Sequence, residues 1–163
     1  MSDFDLCLAF TLRMEGGKVD DPKDPGGRTN QGVTQGVYDV YRVRKGLPKQ
    51  SVYAIAPIEV SDIYRNQYWL PTGCDNLPSG VNLLAFDIAV NMGIGRIRPW
   101  LAASVRMTPG DRIRYLDQQR RGFWRHLSIF GRFGKGWFHR EDACLALALK
   151  MDAPKATIAI AAK

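Results

Sequence analysis

The sequence predicts a mainly α fold built around one central buried helix, with a long loop or small β-hairpin after the first helix. Three observations carry that expectation. Residues 81–92 are apolar nearly all round, which suits a helix covered by neighbours on several sides. Elsewhere apolar residues recur at helical spacing, and no alternating run is long enough for an extended strand. Glycine, proline and aspartate crowd into residues 16–36, which hold six glycines together with Pro22 and Pro25. The 163 residues suit a single compact domain, 1–163.

The elements follow in order. Phe4, Leu8, Thr11, Leu12 and Met14 mark a first helix over 2–14 that stops at Glu15, because Gly16-Gly17 follows at once. Helical signals return at Pro57, a good first-turn residue, and continue through Ile58, Ile63, Tyr64 and Tyr68 to Pro71. The central helix over 81–92 is interrupted by Gly93 and Gly95, and a shorter helix is expected over 97–105. Thr108-Pro109-Gly110-Asp111 reads as the cap of the next helix, whose core stripe is Ile113, Leu116, Phe123 and Leu127. A last helix is expected from about Gly136 or Trp137 to Met151, before an Ala-rich tail.

Composition bounds the function. Lys and Arg number 23 against 16 Asp and Glu, a formal charge of +7, so the surface should attract polyanions: nucleic acid, anionic lipid or a bacterial cell wall. Nucleic acid is disfavoured, since the charges are dispersed and no binding motif is present. No run reaches the ~20 apolar residues of a membrane span. The first five residues are acidic rather than basic, so no secretory leader is visible. Cys7, Cys74 and Cys144 are too scattered for a disulfide framework and read as buried thiols. His126 and His139 lack metal-ligand spacing, and no metal or organic cofactor is expected.

The carboxylates are the chemical signal. Glu15 ends an apolar helix, at the negative end of its dipole, where the protonated form is favoured. A carboxyl held protonated near neutral pH is what a general acid needs to protonate a glycosidic oxygen. Glycoside hydrolysis usually calls for a second carboxylate, and Asp24 is the candidate, with Asp20 and Asp21 as competitors. Thr29 could place its hydroxyl on the attacking water. The alternative for these acids is turn punctuation, which accounts for one or two of them but not for three crowded after Glu15.

The run Met14-Glu15-Gly16-Gly17-Lys18-Val19-Asp20-Asp21-Pro22-Lys23-Asp24-Pro25-Gly26-Gly27-Arg28-Thr29-Asn30-Gln31-Gly32-Val33-Thr34 resembles the signature of glycoside hydrolase family 108. The resemblance implies a lysozyme-like fold and N-acetylmuramidase activity, with Glu15 as the catalytic glutamate of the Glu-Gly-Gly motif. The segment is also similar to the Glu, eight residues, Asp, five residues, Thr arrangement of phage lysozymes, onto which Glu15 and Asp24 fall in register. Thr29 stands one residue short of the third position, so Thr34 competes with it. Lys18 replaces the aromatic that relatives carry after Glu-Gly-Gly.

Phe86-Asp87-Ile88-Ala89-Val90-Asn91-Met92-Gly93 resembles the central-helix motif of the same family. Asp87 and Asn91, one turn apart, are either cleft residues or a buried hydrogen-bonded pair. The stretch 114–147, with Phe123-Trp124, Phe133, Gly136-Trp137 and Arg140, resembles the peptidoglycan-binding region that follows the catalytic half. The resemblance therefore divides the domain into a catalytic half, 1–93, a peptidoglycan-binding-like half, 94–155, and a tail, 156–163. Trp124, Trp137, Phe130 and Phe133, with Arg120, Arg121, Arg125 and Arg132, read either as a polymer-binding surface or as core packing, the latter favoured for the tryptophans.

The resulting expectation is a monomeric endolysin-type lysozyme acting on peptidoglycan, probing the wall with Gly16, Gly17, Asn30, Asp87, Asn91 and Trp137 as saccharide contacts. Anionic cell-wall or outer-membrane components are expected partners, together with a holin-type release partner. The enzyme would be made in the bacterial cytoplasm and act in the periplasm or cell wall. A lytic transglycosylase and a non-catalytic wall-binding or phage structural module are the rivals.

Overall fold

The computed structural model describes residues 2–15 and 28–153. It is the mainly helical, lysozyme-like arrangement expected, with one small two-stranded sheet after the first helix. Helix α1 spans Asp3–Glu15, ending where the Gly-Gly stop signal places it. The hairpin pairs β1 (Thr29–Asn30) with β2 (Val33–Thr34), antiparallel, with Asn30 opposite Val33 and Thr29 opposite Thr34. Its two turn residues, Gln31 and Gly32, both have positive φ, 51° and 74°, the left-handed pair of a type I′ turn that matches the twist of the strands.

Helix α2, Gln35–Arg44, follows directly and has no counterpart in the sequence reading. Thr34 caps it, its hydroxyl accepting from the Val37 amide. The helix is short and polar, but it buries Tyr38, whose hydroxyl donates to Glu59 at 2.6 Å while Arg42 pairs with the same carboxylate at 2.8 Å. The glycine-rich run before it masked its periodicity.

A 3-10 turn over Val52–Ala54 leads to α3, Pro57–Tyr64, with the proline in its first turn as expected. The chain widens into a π turn over Arg65–Trp69 and ends in α4, Leu70–Thr72. Pro71 offers no amide donor, and the preceding Leu70 amide reaches back to Arg65 O. Trp69 is thereby turned inward, packing edge-on against Phe4 and Phe86 and donating to Asp75.

Helix α5, Val81–Met92, is the central helix: from Val81 to Ala89 every residue is buried. Gly80, at φ +82°, precedes it, and any side chain there would run into the Ala148 carbonyl of the last helix. Helix α6, Ile94–Ala103, starts three residues earlier than the glycines suggested. Helix α7, Pro109–Arg125, is capped by Thr108 as expected.

Helix α8 runs Phe130–Asp152, beginning well before Gly136. Its first turns tolerate three glycines because Phe130, Phe133, Trp137 and Phe138 pack on one another and on Trp124. α1, α7 and α8 all pack against α5, so the C-terminal helices help to bury the same central helix as α1. Cys7, Cys74 and Cys144 are all buried free thiols, as expected. Among the described residues no helix is long and apolar enough to cross a membrane.

Candidate active site

Glu15 is the last residue of α1, so the position of its backbone depends on what anchors the final turns of that helix. Thr11, one turn earlier and fully buried, donates its hydroxyl to Asp87 Oδ1 on α5 at 3.1 Å. At the other end of the same pair of helices, Asn82 donates to Asp3 at 2.8 Å. α1 and α5 therefore run in the same direction and are pinned at two levels. Met14 also packs against the core.

Asp87 is the hub of a buried charge cluster. Arg120 of α7 reaches its Oδ2 at 2.7 Å, and Arg140 of α8 reaches Oδ1 at 2.7 Å and Oδ2 at 3.3 Å. Burial works to raise the Asp87 carboxyl, but Arg120 and Arg140 outweigh it and hold it below the usual carboxylate range. The sequence reading of Asp87 as a saccharide contact is corrected here. Its side chain has no exposure and both oxygens are already taken by donors from three helices. Nor does it form a buried pair with Asn91, which is exposed one turn further along α5.

Glu141 completes the cluster. It lies 2.9 Å from Arg120 Nη1 but off the hydrogen-bonding direction, and among the described residues neither of its oxygens has a hydrogen-bond partner. Burial, opposed by Arg120 and reinforced by Asp117 and Asp87, pushes its carboxyl up to about 7. Thr11, Arg120, Arg140 and Glu141 together were not legible as a unit in the sequence. The one available signal was Asp87 itself, since a lone acid in an otherwise apolar helix requires a buried cation to face it.

The hairpin is anchored to the same central helix by another route. Tyr64 of α3 donates its hydroxyl to Gln31 O in the turn at 3.0 Å, and its ring packs edge-on against Phe86 of α5. Gln35 braces the outer side, donating to Asp39 and to Gln50 O and accepting from the Val52 amide at 2.8 Å each. Thr29 and Thr34, the two candidates for water placement, face each other across the hairpin, so their side chains share one face. Thr34 uses its hydroxyl to cap α2, whereas Thr29 is half-buried.

Asn30 requires a second correction. It is only 5% exposed, and its side-chain amide donates to Val52 O at 3.2 Å, so it fastens the hairpin to the 3-10 turn rather than reaching toward saccharide. Gly16, Gly17, Asp20, Asp21 and Asp24, and the side chain of Glu15, lie outside the described residues. Trp137 is half-buried and packed between Trp124, Phe130 and Phe133. Trp124 is buried beneath it, consistent with packing. Two of the four arginines read as wall contacts are otherwise engaged. Arg120 is fully buried, and Arg121 pairs with Asp117 and Asp142.

Residues 8–93 match the family model described as glycosyl hydrolase 108, a span that holds the end of α1, the hairpin and the whole of α5. This chain belongs to the glycosyl hydrolase 108 family. It is also similar to a solved structure described as that of Brucella abortus SagA, with 31% identity, 94% of this chain and 97% of the other covered, and a TM-score of 0.75. No curated protein matches the chain. Membership of family 108 makes the chain a glycoside hydrolase and supports a role on peptidoglycan.

Proposed function

We propose that this family 108 hydrolase cleaves the β-1,4 bond between N-acetylmuramic acid and N-acetylglucosamine, with Glu15 as proton donor to the leaving oxygen. The observation that carries the reading is the place of Glu15 in the fold. It ends a helix held to the central helix by the Thr11–Asp87 hydrogen bond, inside the segment that matches the family. A carboxyl that must deliver a proton to one oxygen needs a fixed backbone beneath it.

Asp24 is the second carboxylate of this reading, stabilising the developing oxocarbenium ion or activating water, and Thr29 orients that water. Water supplies the hydroxyl that ends on the anomeric carbon, and its remaining proton restores the carboxyl pair. Gly16, Gly17, Asn91 and Trp137 remain the candidate saccharide contacts, with Asp87 and Asn30 reassigned to positioning. The chemistry calls for no metal or organic cofactor. The formal charge of +7 would hold the enzyme on an anionic wall, so activity should fall as salt rises. The cellular setting proposed is synthesis in the bacterial cytoplasm, release with a holin-type partner and action on the wall during lysis.

The test is turbidity loss of purified Gram-negative sacculi by the wild-type chain and by Glu15→Gln, after circular dichroism has verified that both fold. Clearing by the wild type alone is the expected result. Equal clearing would remove Glu15 from the mechanism. Mass spectrometry of the released muropeptides should show reducing muramic acid ends, and 1,6-anhydro ends would replace hydrolysis with lytic transglycosylation.

A further inference from the structure

We propose that the corner where α7 passes into α8 is a docking surface for an anionic phospholipid leaflet. From 118 to 140 the chain has no Asp or Glu but carries Arg120, Arg121, Arg125, Arg132, Lys135 and Arg140. The cluster around Asp87 absorbs Arg120 and Arg140, and Arg121 is paired with Asp117 and Asp142. Arg125, Arg132 and Lys135 are exposed, and among the described residues no ion pair joins them to a carboxylate. Arg125 lies 5.2 Å from the Phe138 ring centre and Arg132 lies 5.0 Å from that of Phe133, so the aromatics hold both guanidinium groups in place while leaving their charge unneutralised.

The apolar part of the corner distinguishes lipid from other polyanions. Ile129, at the apex, is 50% exposed and Phe133 is 43% exposed. A saccharide or a nucleic-acid base would need an open aromatic face on which to stack. The Phe133 ring is instead stacked on Trp137 at 6.0 Å with a 23° interplanar angle, and Arg132 lies over it as well. Phe133 therefore already has Trp137 and Arg132 as ring neighbours, and the exposed Ile129 beside it has no stacking surface at all. An exposed phenyl and an exposed isoleucine on the same helix-to-helix corner as three unpaired cations fit the boundary between phosphate headgroups and acyl chains.

The proposal does not depend on glycan cleavage. The full chain is sedimented with vesicles of phosphatidylglycerol and phosphatidylcholine, and with vesicles of phosphatidylcholine alone, neither of which contains peptidoglycan. The wild type should partition to the anionic vesicles and hardly at all to the neutral ones. At about five-fold per cation near an anionic leaflet, Arg125→Gln/Arg132→Gln/Lys135→Gln should bind about a hundredfold more weakly. A charge-matched control, Arg44→Gln/Lys49→Gln/Arg106→Gln, should bind like the wild type. Circular dichroism verifies that each variant is folded. Absence of wild-type binding, equal binding to both vesicles, or equal loss in the control and corner variants would overturn the proposal. The last of these would reduce the effect to net charge alone.

Discussion

Thr11 on α1 donates a hydrogen bond to Asp87 on α5 across 76 positions of sequence, and that contact joins the helix ending in Glu15 to the central helix of the fold. Asp87 in turn holds Arg120 and Arg140, so the last turns of α1 are tied through one carboxylate to both C-terminal helices.

Replacing Thr11 with valine keeps the shape and removes the donor. Asp87 keeps its two arginines, so the loss should be limited to one hydrogen bond to a charged acceptor, about 1.5–3 kcal/mol of stability. Urea unfolding measures it. If the contact also aligns Glu15, activity on sacculi should fall in kcat at a temperature where the variant is fully folded. An unchanged kcat would restrict Thr11 to a structural role.

Glu141 sets a pH dependence. Its carboxyl is raised to about 7 in the fold, above an unfolded value of about 4.3, so the folded state binds the proton more tightly. Its proton-linked stability is therefore fully present below the unfolded value and lost as pH rises toward 7. Asp87 acts oppositely, being held low, so its contribution exists above the ordinary aspartate range and disappears in acid. Glu141→Gln should flatten the decline between about pH 4 and 7, leaving the variant more stable than the wild type at pH 8 by on the order of 3 kcal/mol at most. Denaturant melts at pH 5 and 8 decide it. A variant less stable at pH 8 would mean that attraction to Arg120 outweighs the cost of burying the charge.

Thr29 and Thr34 stand opposite each other, but their hydroxyls have different duties. Thr34 caps α2, so Thr34→Ala should cost about 1 kcal/mol of stability, while Thr34→Ser should retain both stability and activity. Thr29→Val should lower kcat by about 10²-fold at a temperature where the variant is fully folded, the lower end of what a group assisting proton transfer contributes. Loss of activity in Thr34→Ala at a temperature where it is fully folded, with normal activity in Thr29→Val, would reverse the assignment.

Much of the fold was legible in local signals. The Gly-Gly stop after Glu15, the first-turn Pro57, the Thr108 cap and the all-round apolar face of α5 each depend on residues within a few positions of one another. The misreadings have equally local causes. Turn-rich sequence obscured α2, whose formation depends on the Thr34 cap and on burial of Tyr38 against Glu59. Glycines in the first turns of α8 suggested a later start, but the surrounding aromatics stabilise those turns.

By itself the sequence determined the helical class, the position of Glu15 at the end of α1, a turn-rich loop or small hairpin after it and the resemblance to family 108. Caps, periodicity and turn residues act over short separations, and a linear reading captures them. Only the tertiary structure decided what Asp87 and Asn30 do. Arg120 and Arg140 lie 33 and 53 positions from Asp87, and Val52 lies 22 from Asn30. A polar side chain that could face either solvent or the interior is assigned by which distant donor or acceptor the packing brings against it, because burial without a partner is costly.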